Sequence, residues 1–153
     1  IGLSTATLSD VTLSDGVYSF LRDGTINLRS ENFSDGRVFL ITMNITSASD
    51  GTLVRILCVG RNNLGITIES SAVVGLFKMM VFFPEFGRNF RRFSSSLSQS
   101  QSISIRSFSG TFEASDLTIT QTNSAAYYKS FLPDVITIPE DFSTYWEPSR
   151  FNR

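Results

Sequence analysis

Between Val17 and Thr122 apolar and polar residues alternate in short runs, the period of strands that cover a core with one face and meet water with the other. In Thr25 to Ser30, Ile26 and Leu28 fall on one side and Thr25, Asn27 and Arg29 on the other. In Arg37 to Thr46, Phe39, Ile41, Met43 and Ile45 make one continuous apolar face. The opposite face starts with Val38 and Leu40 and turns polar at Thr42 and Asn44, which predicts a long strand running from a doubly covered region into an exposed one. Thr52 to Val59 is apolar on both faces apart from Arg55, the pattern of a central strand in a two-layer structure. A loop over Gly60 to Gly65 leads into a short strand, Ile66 to Ser70. Val73 to Phe83 fits both periods; Gly75 and the Val and Phe content favour the strand. Ile103 and Ile105 are out of phase with Phe108 and Phe112, which predicts a β-bulge near Arg106 or Ser107. Leu117 and Ile119 alternate with Thr118, Thr120 and Thr122 in a last strand.

Turn residues punctuate these runs. Asp15-Gly16, Asp23-Gly24, Asp35-Gly36 and Asp50-Gly51 mark a meander, because tight hairpins need positive φ, which Gly adopts freely and Asp tolerates. Asp23-Gly24 is read as a two-residue type I′ hairpin between strands Val17 to Arg22 and Thr25 to Ser30. Ahead of it Leu3-Ser4, Leu8-Ser9 and Leu13-Ser14 recur with period five, read as an extended lead-in. Ser94 to Ser102 reads as a solvated loop or edge. After Asn123, Pro133, Pro139 and Pro148 interrupt any ladder, while Tyr127, Tyr128, Phe131, Phe142, Tyr145, Trp146 and Phe151 supply aromatic anchors. Three regions follow: a lead-in over 1–16, a β-sandwich body over 17–122, and an aromatic arm over 123–153 laid on the body or on a neighbouring subunit.

Composition narrows the function. A chain of 153 residues makes one domain able to bury a core without disulfides. Only 18% of the residues are charged and the net charge is -1, so no global field draws in nucleic acid. The longest apolar run, Ala72 to Phe83, is too short to cross a bilayer and is broken by Lys78. Ile1 to Asp10 lacks the charge and apolar pattern of a signal peptide. There is no histidine and one cysteine, which removes the Ser-His-Asp triad, the Cys-His pair and His-containing zinc sites. Cys58, in an apolar strand with no basic neighbour, reads as a small buried hydrophobe. No catalytic residue, metal ligand or cofactor is assigned.

Two chemistries remain. A glycosidase needs only a pair of acids, and the candidates are Glu85, Glu113, Asp116, Asp134, Glu140 and Asp141; acids beside turn residues more often serve turns or solvation. The other is binding. Arg88-Asn89-Phe90-Arg91-Arg92-Phe93 interleaves planar cations with aromatics, a patch suited to a carboxylate, phosphate or acidic sugar. Arg88, Arg91 and Arg92 are its candidate ligand residues, with Tyr145 and Trp146 as stacking groups; the bland alternative is a solvated edge over buried Phe90 and Phe93. If ligand binding lies elsewhere, the loops around Asn62 and Asn63 or the C-terminal arm are the next places.

Eight to ten short strands make a two-sheet antiparallel sandwich the most economical fold, with the jelly roll ahead of an immunoglobulin-like one. The Leu-Ser lead-in, Asp-Gly meander, Ser/Thr-rich strands and aromatic tail resemble the globular head of a viral or phage fibre or tail needle. That resemblance implies a tumour-necrosis-factor-like jelly roll, a homotrimer, and a non-enzymatic attachment role on a virion surface or outside cells, with a cell-surface glycan or other host receptor as ligand and neither nucleic acid nor membrane insertion. The runner-up is a monomeric carbohydrate-binding or adhesin module, and third comes a small carboxylate-dependent glycosidase.

Overall fold

The computed structural model describes residues 1–34, 36–60, 64–83, 91–92 and 101–123, and every regular element among them is a strand. The strands are β1 (Thr7–Ser14), β2 (Val17–Arg29), β3 (Val38–Ala48), β4 (Leu53–Val59), β5 (Leu64–Ser71), β6 (Gly75–Phe82), β7 (Arg91–Arg92), β8 (Ser102–Phe108) and β9 (Phe112–Thr122). All pairings are antiparallel, and hydrogen bonds run along the order β6-β3-β9-β2-β8-β4-β5-β7, with β1 beside β2.

The path closes into two layers because β2 belongs to both. Its beginning, Val17 to Phe20, pairs with β9, whereas its end, Thr25 to Arg29, pairs with β8. The first sheet is therefore β6-β3-β9-β2 and the second β2-β8-β4-β5-β7. With the two halves of β2 counted separately, the first segment pairs with the last, the second with the next to last, then β3 with β6 and β4 with β5. A long hairpin rolled up in this way is a jelly roll, so the chain is an all-β, two-sheet antiparallel sandwich as its alternation predicts.

The inner faces share one core. Phe20, Phe39, Ile41, Met43, Ile45, Phe112 and Ile119 from the first sheet cluster with Ile26, Leu28, Val54, Ile56, Cys58, Ile103 and Ile105 from the second. In the second sheet the register lines up Ile26, Ile105, Ile56 and Ile68 across four strands. Each such side chain contributes roughly 1.5–3 kcal/mol on full burial, and β-branched neighbours pack well across a pleated surface. β3 behaves as its sequence predicts: Val38 is buried on the outer face, Leu40 and Thr42 are half-buried, and Asn44 is exposed. Val73 to Phe83 resolves as a strand, β6, once past the exposed Val73 and Val74.

Three sequence expectations are corrected. The Asp-Gly pairs do not mark a meander, because among the described residues only β1–β2 and β4–β5 pair as chain neighbours and Asp50-Gly51 joins strands of different sheets. Asp23-Gly24 is not a hairpin turn, because the chain continues through it as β2, and the flanking segments pair with different strands rather than with each other. Opposite this point the single residue Asp10 of β1 stands against the four residues 21–24 of β2, since Ser9 pairs with Thr25 and Val11 with Phe20. The result is a corner that carries both strands from one sheet into the other. Asp23 is the left-handed residue there, at φ 63°, and Gly24 is needed for proximity: a Cβ on it would run into the Asp10 carbonyl oxygen and lie 2.9 Å from that of Leu21. The bulge expected near Arg106 or Ser107 is also absent. β8 pairs without a register shift, Ser107 points inward after Ile103 and Ile105, and Phe108 takes the opposite phase at the end of the strand.

A two-residue hairpin does occur at Asp15-Gly16, where both residues have positive φ (49° and 78°) and Ser14 pairs with Val17. The period-five lead-in acquires a reason here. Thr-Leu-Ser-Asp occurs at 7–10 and again at 12–15, and each copy ends on a left-handed aspartate, Asp10 at the corner and Asp15 at the turn. Asp116, at φ 55°, sits where β9 slips register against β3.

The crossings β3 to β4 and β8 to β9 lie side by side and are joined by hydroxyl groups. The Ser49 amide donates to the Thr111 carbonyl and the Thr111 amide to Ser49 Oγ, both at 2.9 Å. Buried Thr52 donates from Oγ1 to the Ser49 carbonyl at 2.7 Å and lies 2.7 Å from Ser49 Oγ. Gly51, at φ 77°, makes the turn between Asp50 and Thr52.

Replacing Gly24 tests the corner directly. Gly24→Val is expected to lower the free energy of unfolding by about 3 kcal/mol in urea titrations, because the obstructing atoms are backbone and cannot rotate away. Asp15→Gly, at a residue already left-handed, is expected to leave stability unchanged or raise it. Equal stability of Gly24→Val and the parent chain would contradict the corner.

Candidate functional site

The outer face of the first sheet carries a depression where β2, β9 and the end of β3 lie together. Register places Ser19, Glu113 and Ser47 in one row across these strands, and Leu21, Thr111 and Ser49 also line the hollow, with the Ser49 amide bonded to the Thr111 carbonyl. Phe20, Phe112 and Ala48 complete the lining, and the rings of Phe20 and Phe112 stack in the core at 4.2 Å. The hollow is open and has a volume of about 360 Å³. It exists because small hydroxyl residues occupy positions where larger outer-face residues would close it.

Its chemistry is that of a hydrogen-bonding surface with an apolar edge. No hydrogen bond or ion pair ties the side chains of Glu113, Ser19 or Ser47 to another described residue, so a carboxylate acceptor lies between two hydroxyls that both donate and accept. Leu21 is 58% exposed beside them. Ser49 and Thr111 at the rim are held by the crossing network and give the hollow a fixed wall.

The second sheet presents a different outer face. Thr25, Arg106, Arg55 and Glu69 are in register across β2, β8, β4 and β5. Arg106 Nη2 lies 3.0 Å from Asp23 Oδ1, and Arg55 donates from Nε and Nη2 to Glu69 Oε2 at 2.9 and 2.8 Å. The Arg55 guanidinium also covers the Phe108 ring at 3.7 Å.

No protein-family model matches the chain, and no curated protein matches its sequence. Six chains of solved structures match its backbone. One of them, described as "CBM4 structure and function", is 16% identical over 79% of this chain and 81% of that one, with a TM-score of 0.39, a likeness too slight to carry an argument.

Of the residues that the sequence singles out for binding, Arg91 and Arg92 form β7, whose backbone pairs with Gly65 and Leu64 on the edge of the second sheet. Arg88, Tyr145, Trp146 and the alternative positions Asn62 and Asn63 lie outside the described residues, as does the arm from residue 124 onward. So do Glu85, Asp134, Glu140 and Asp141 among the candidate acids; Asp116 is exposed in its strand irregularity and Glu113 lies in the depression. Among the described residues no group of three or more His, Cys, Asp or Glu comes together to hold a metal ion, and no helix is long and apolar enough to cross a membrane. Ser19, Ser47 and Leu21 escape sequence reasoning because only the register of three strands distant in sequence brings them to Glu113.

Cys58 is buried on the inner face of β4, as its strand predicts, and burial pushes its thiol up to about 12. Native protein at pH 8 should therefore resist thiol-specific reagents that label the urea-unfolded chain within minutes. Because the folded thiol holds its proton well above its ordinary value of 9.0, this group removes stability as pH rises from 9 toward 12 and has no effect below that window. Comparing urea midpoints at pH 8 and pH 10 for the parent and Cys58→Ala isolates it: the parent should lose more. Stoichiometric labelling of the native form would contradict the assignment.

Proposed function

We propose that the chain is a non-enzymatic binding module that takes a sugar unit of a glycan into the depression formed by β2, β3 and β9. The observation that carries this reading is the row Ser19–Glu113–Ser47, three polar side chains in register with no partner among the described residues and facing a shallow hollow. A sugar ring offers vicinal hydroxyls, which donate to a carboxylate and exchange hydrogen bonds with serine hydroxyls, and C–H faces, which suit Leu21. Hydrogen bonds to a charged group contribute about 1.5–3 kcal/mol each, enough to orient a ligand on an open surface.

Glycan-array binding followed by calorimetric titration of the best glycan tests it. Glu113→Gln should weaken that glycan by roughly tenfold or more, and Leu21→Ser by a smaller factor, with no change in melting temperature. Equal binding by Glu113→Gln and the parent would remove the depression as the site.

One observation favours a contact with another subunit, which the head of an attachment fibre would need. Val73, Val74 and Leu76 are 66%, 64% and 75% exposed at the start of β6, which ends the hydrogen-bonded order of the first sheet. Apolar residues collected at a sheet edge suit contact with another subunit. On this reading the chain is a homotrimer on a virion surface or outside cells, with the aromatic arm and Tyr145 and Trp146 contributing to the seams. Sedimentation equilibrium should give a trimer that Leu76→Glu converts to monomer; a parent chain that remains monomeric at all concentrations leaves the single carbohydrate-binding or adhesin module.

A further inference from the structure

The arginines on the outer face of the second sheet have no role in the sugar-binding reading, and their arrangement is costly. Arg55 and Arg106 are direct cross-strand partners on β4 and β8. Like charges directly opposite each other are destabilising. The acids that flank them relieve this only from the outside, Asp23 on Arg106 and Glu69 on Arg55. Arg106 Nε is buried and has no hydrogen-bond partner, so this guanidinium is under-bonded although 42% of its side chain remains exposed. Arg55 is held flat by the Phe108 ring beneath it, which fixes its donors and lowers the entropy lost when a ligand binds. Arg29 is exposed on the same face of β2, four positions along the strand from Thr25, the residue that pairs with Arg106. That separation is roughly 13 Å at the usual rise of a strand. The face thus has two cationic points, one of them a double guanidinium, with half-buried Leu57 and exposed Thr67 nearby.

We propose that the outer face of the second sheet is a separate recognition surface for linear polyanions, in which an oxyanion group bridges Arg55 and Arg106. The shared chemistry is that of carboxylate and sulfate groups, both of which accept two hydrogen bonds from guanidinium nitrogens. The anion supplies between the two arginines the negative charge that Asp23 and Glu69 supply only at the ends of the row. The backbone of β7 adds Arg91 and Arg92 to the edge of this same sheet.

Binding of polygalacturonate, dextran sulfate and neutral dextran to the full chain tests the proposal and separates the two oxyanions. At least one polyanion should bind, with affinity falling as salt is raised, and neutral dextran should not. The double variant Arg55→Gln/Arg106→Gln should lose tenfold or more in affinity, whereas Glu113→Gln should bind as the parent does, which keeps this surface distinct from the depression. Asp23→Asn/Glu69→Gln should bind severalfold more tightly, because it frees both guanidiniums; asparagine tolerates the left-handed backbone at position 23. A ladder that only stitches strands together predicts the opposite, a lower melting temperature with no gain in affinity. If the arginine double variant does not fold, the acid variant and amide chemical-shift mapping of the parent decide. Polyanion-induced shifts that leave Arg55 and Arg106 unmoved, or equal binding of neutral dextran, overturn the proposal.

Discussion

The close approach of Gly24 to the Asp10 carbonyl is the contact on which the architecture depends. Two adjacent strands must pass together from one sheet into the next, and a side chain at that point would hold them apart. Opposing one residue of β1 to four of β2 gives the excess length that turns the corner, and Asp10 and Asp23 absorb the twist in left-handed conformations. Everything downstream follows from the bend. It gives β9 and β8 separate halves of one strand to pair with, brings Ile26 and Phe20 into a common core from different layers, and fixes which residues face outward on each sheet.

Much of the fold was legible in the chain. Alternation locates β3, the second half of β2 and β9, the double-faced apolar character of Thr52 to Val59 identifies a central strand, and Gly75 with the Val and Phe content of Val73 to Phe83 decides for a strand over a helix. What alternation does not encode is pairing. Asp23-Gly24 announced a break in the backbone, but a break can reverse the chain or bend it, and the outcome rests on Asp10, a partner thirteen residues upstream. Phe108 misled for a related reason. An aromatic residue at a strand end reads as core, whereas the guanidinium that covers its ring comes from a strand far away in sequence.

The site was less legible than the fold. Glu113 stood among the candidate acids for its chemistry, yet its setting between two serines is a property of register alone. The arginine-rich segment around β7 drew attention as a charge cluster, while Arg55 and Arg106, isolated in sequence, meet only once β4 and β8 are paired. Sequence reveals local concentrations of charge readily. It hides those assembled across strands.

Rolling a hairpin so that its first segment pairs with its last also sets the order in which the molecule can form. β1 and β2 meet through a two-residue turn and β4 and β5 through a short connection, contacts that close on the microsecond scale typical of hairpins. Both halves of β2, however, need partners that the chain supplies only at Ser102 and beyond. During synthesis an early hairpin with an apolar inner face must therefore wait for nearly the whole body to emerge, and loop closure over that distance slows folding relative to a meander of the same size. Thr7, Ser9, Thr12 and Ser14 of β1 are all exposed, so the outside of that early hairpin is polar while its partners are still to come.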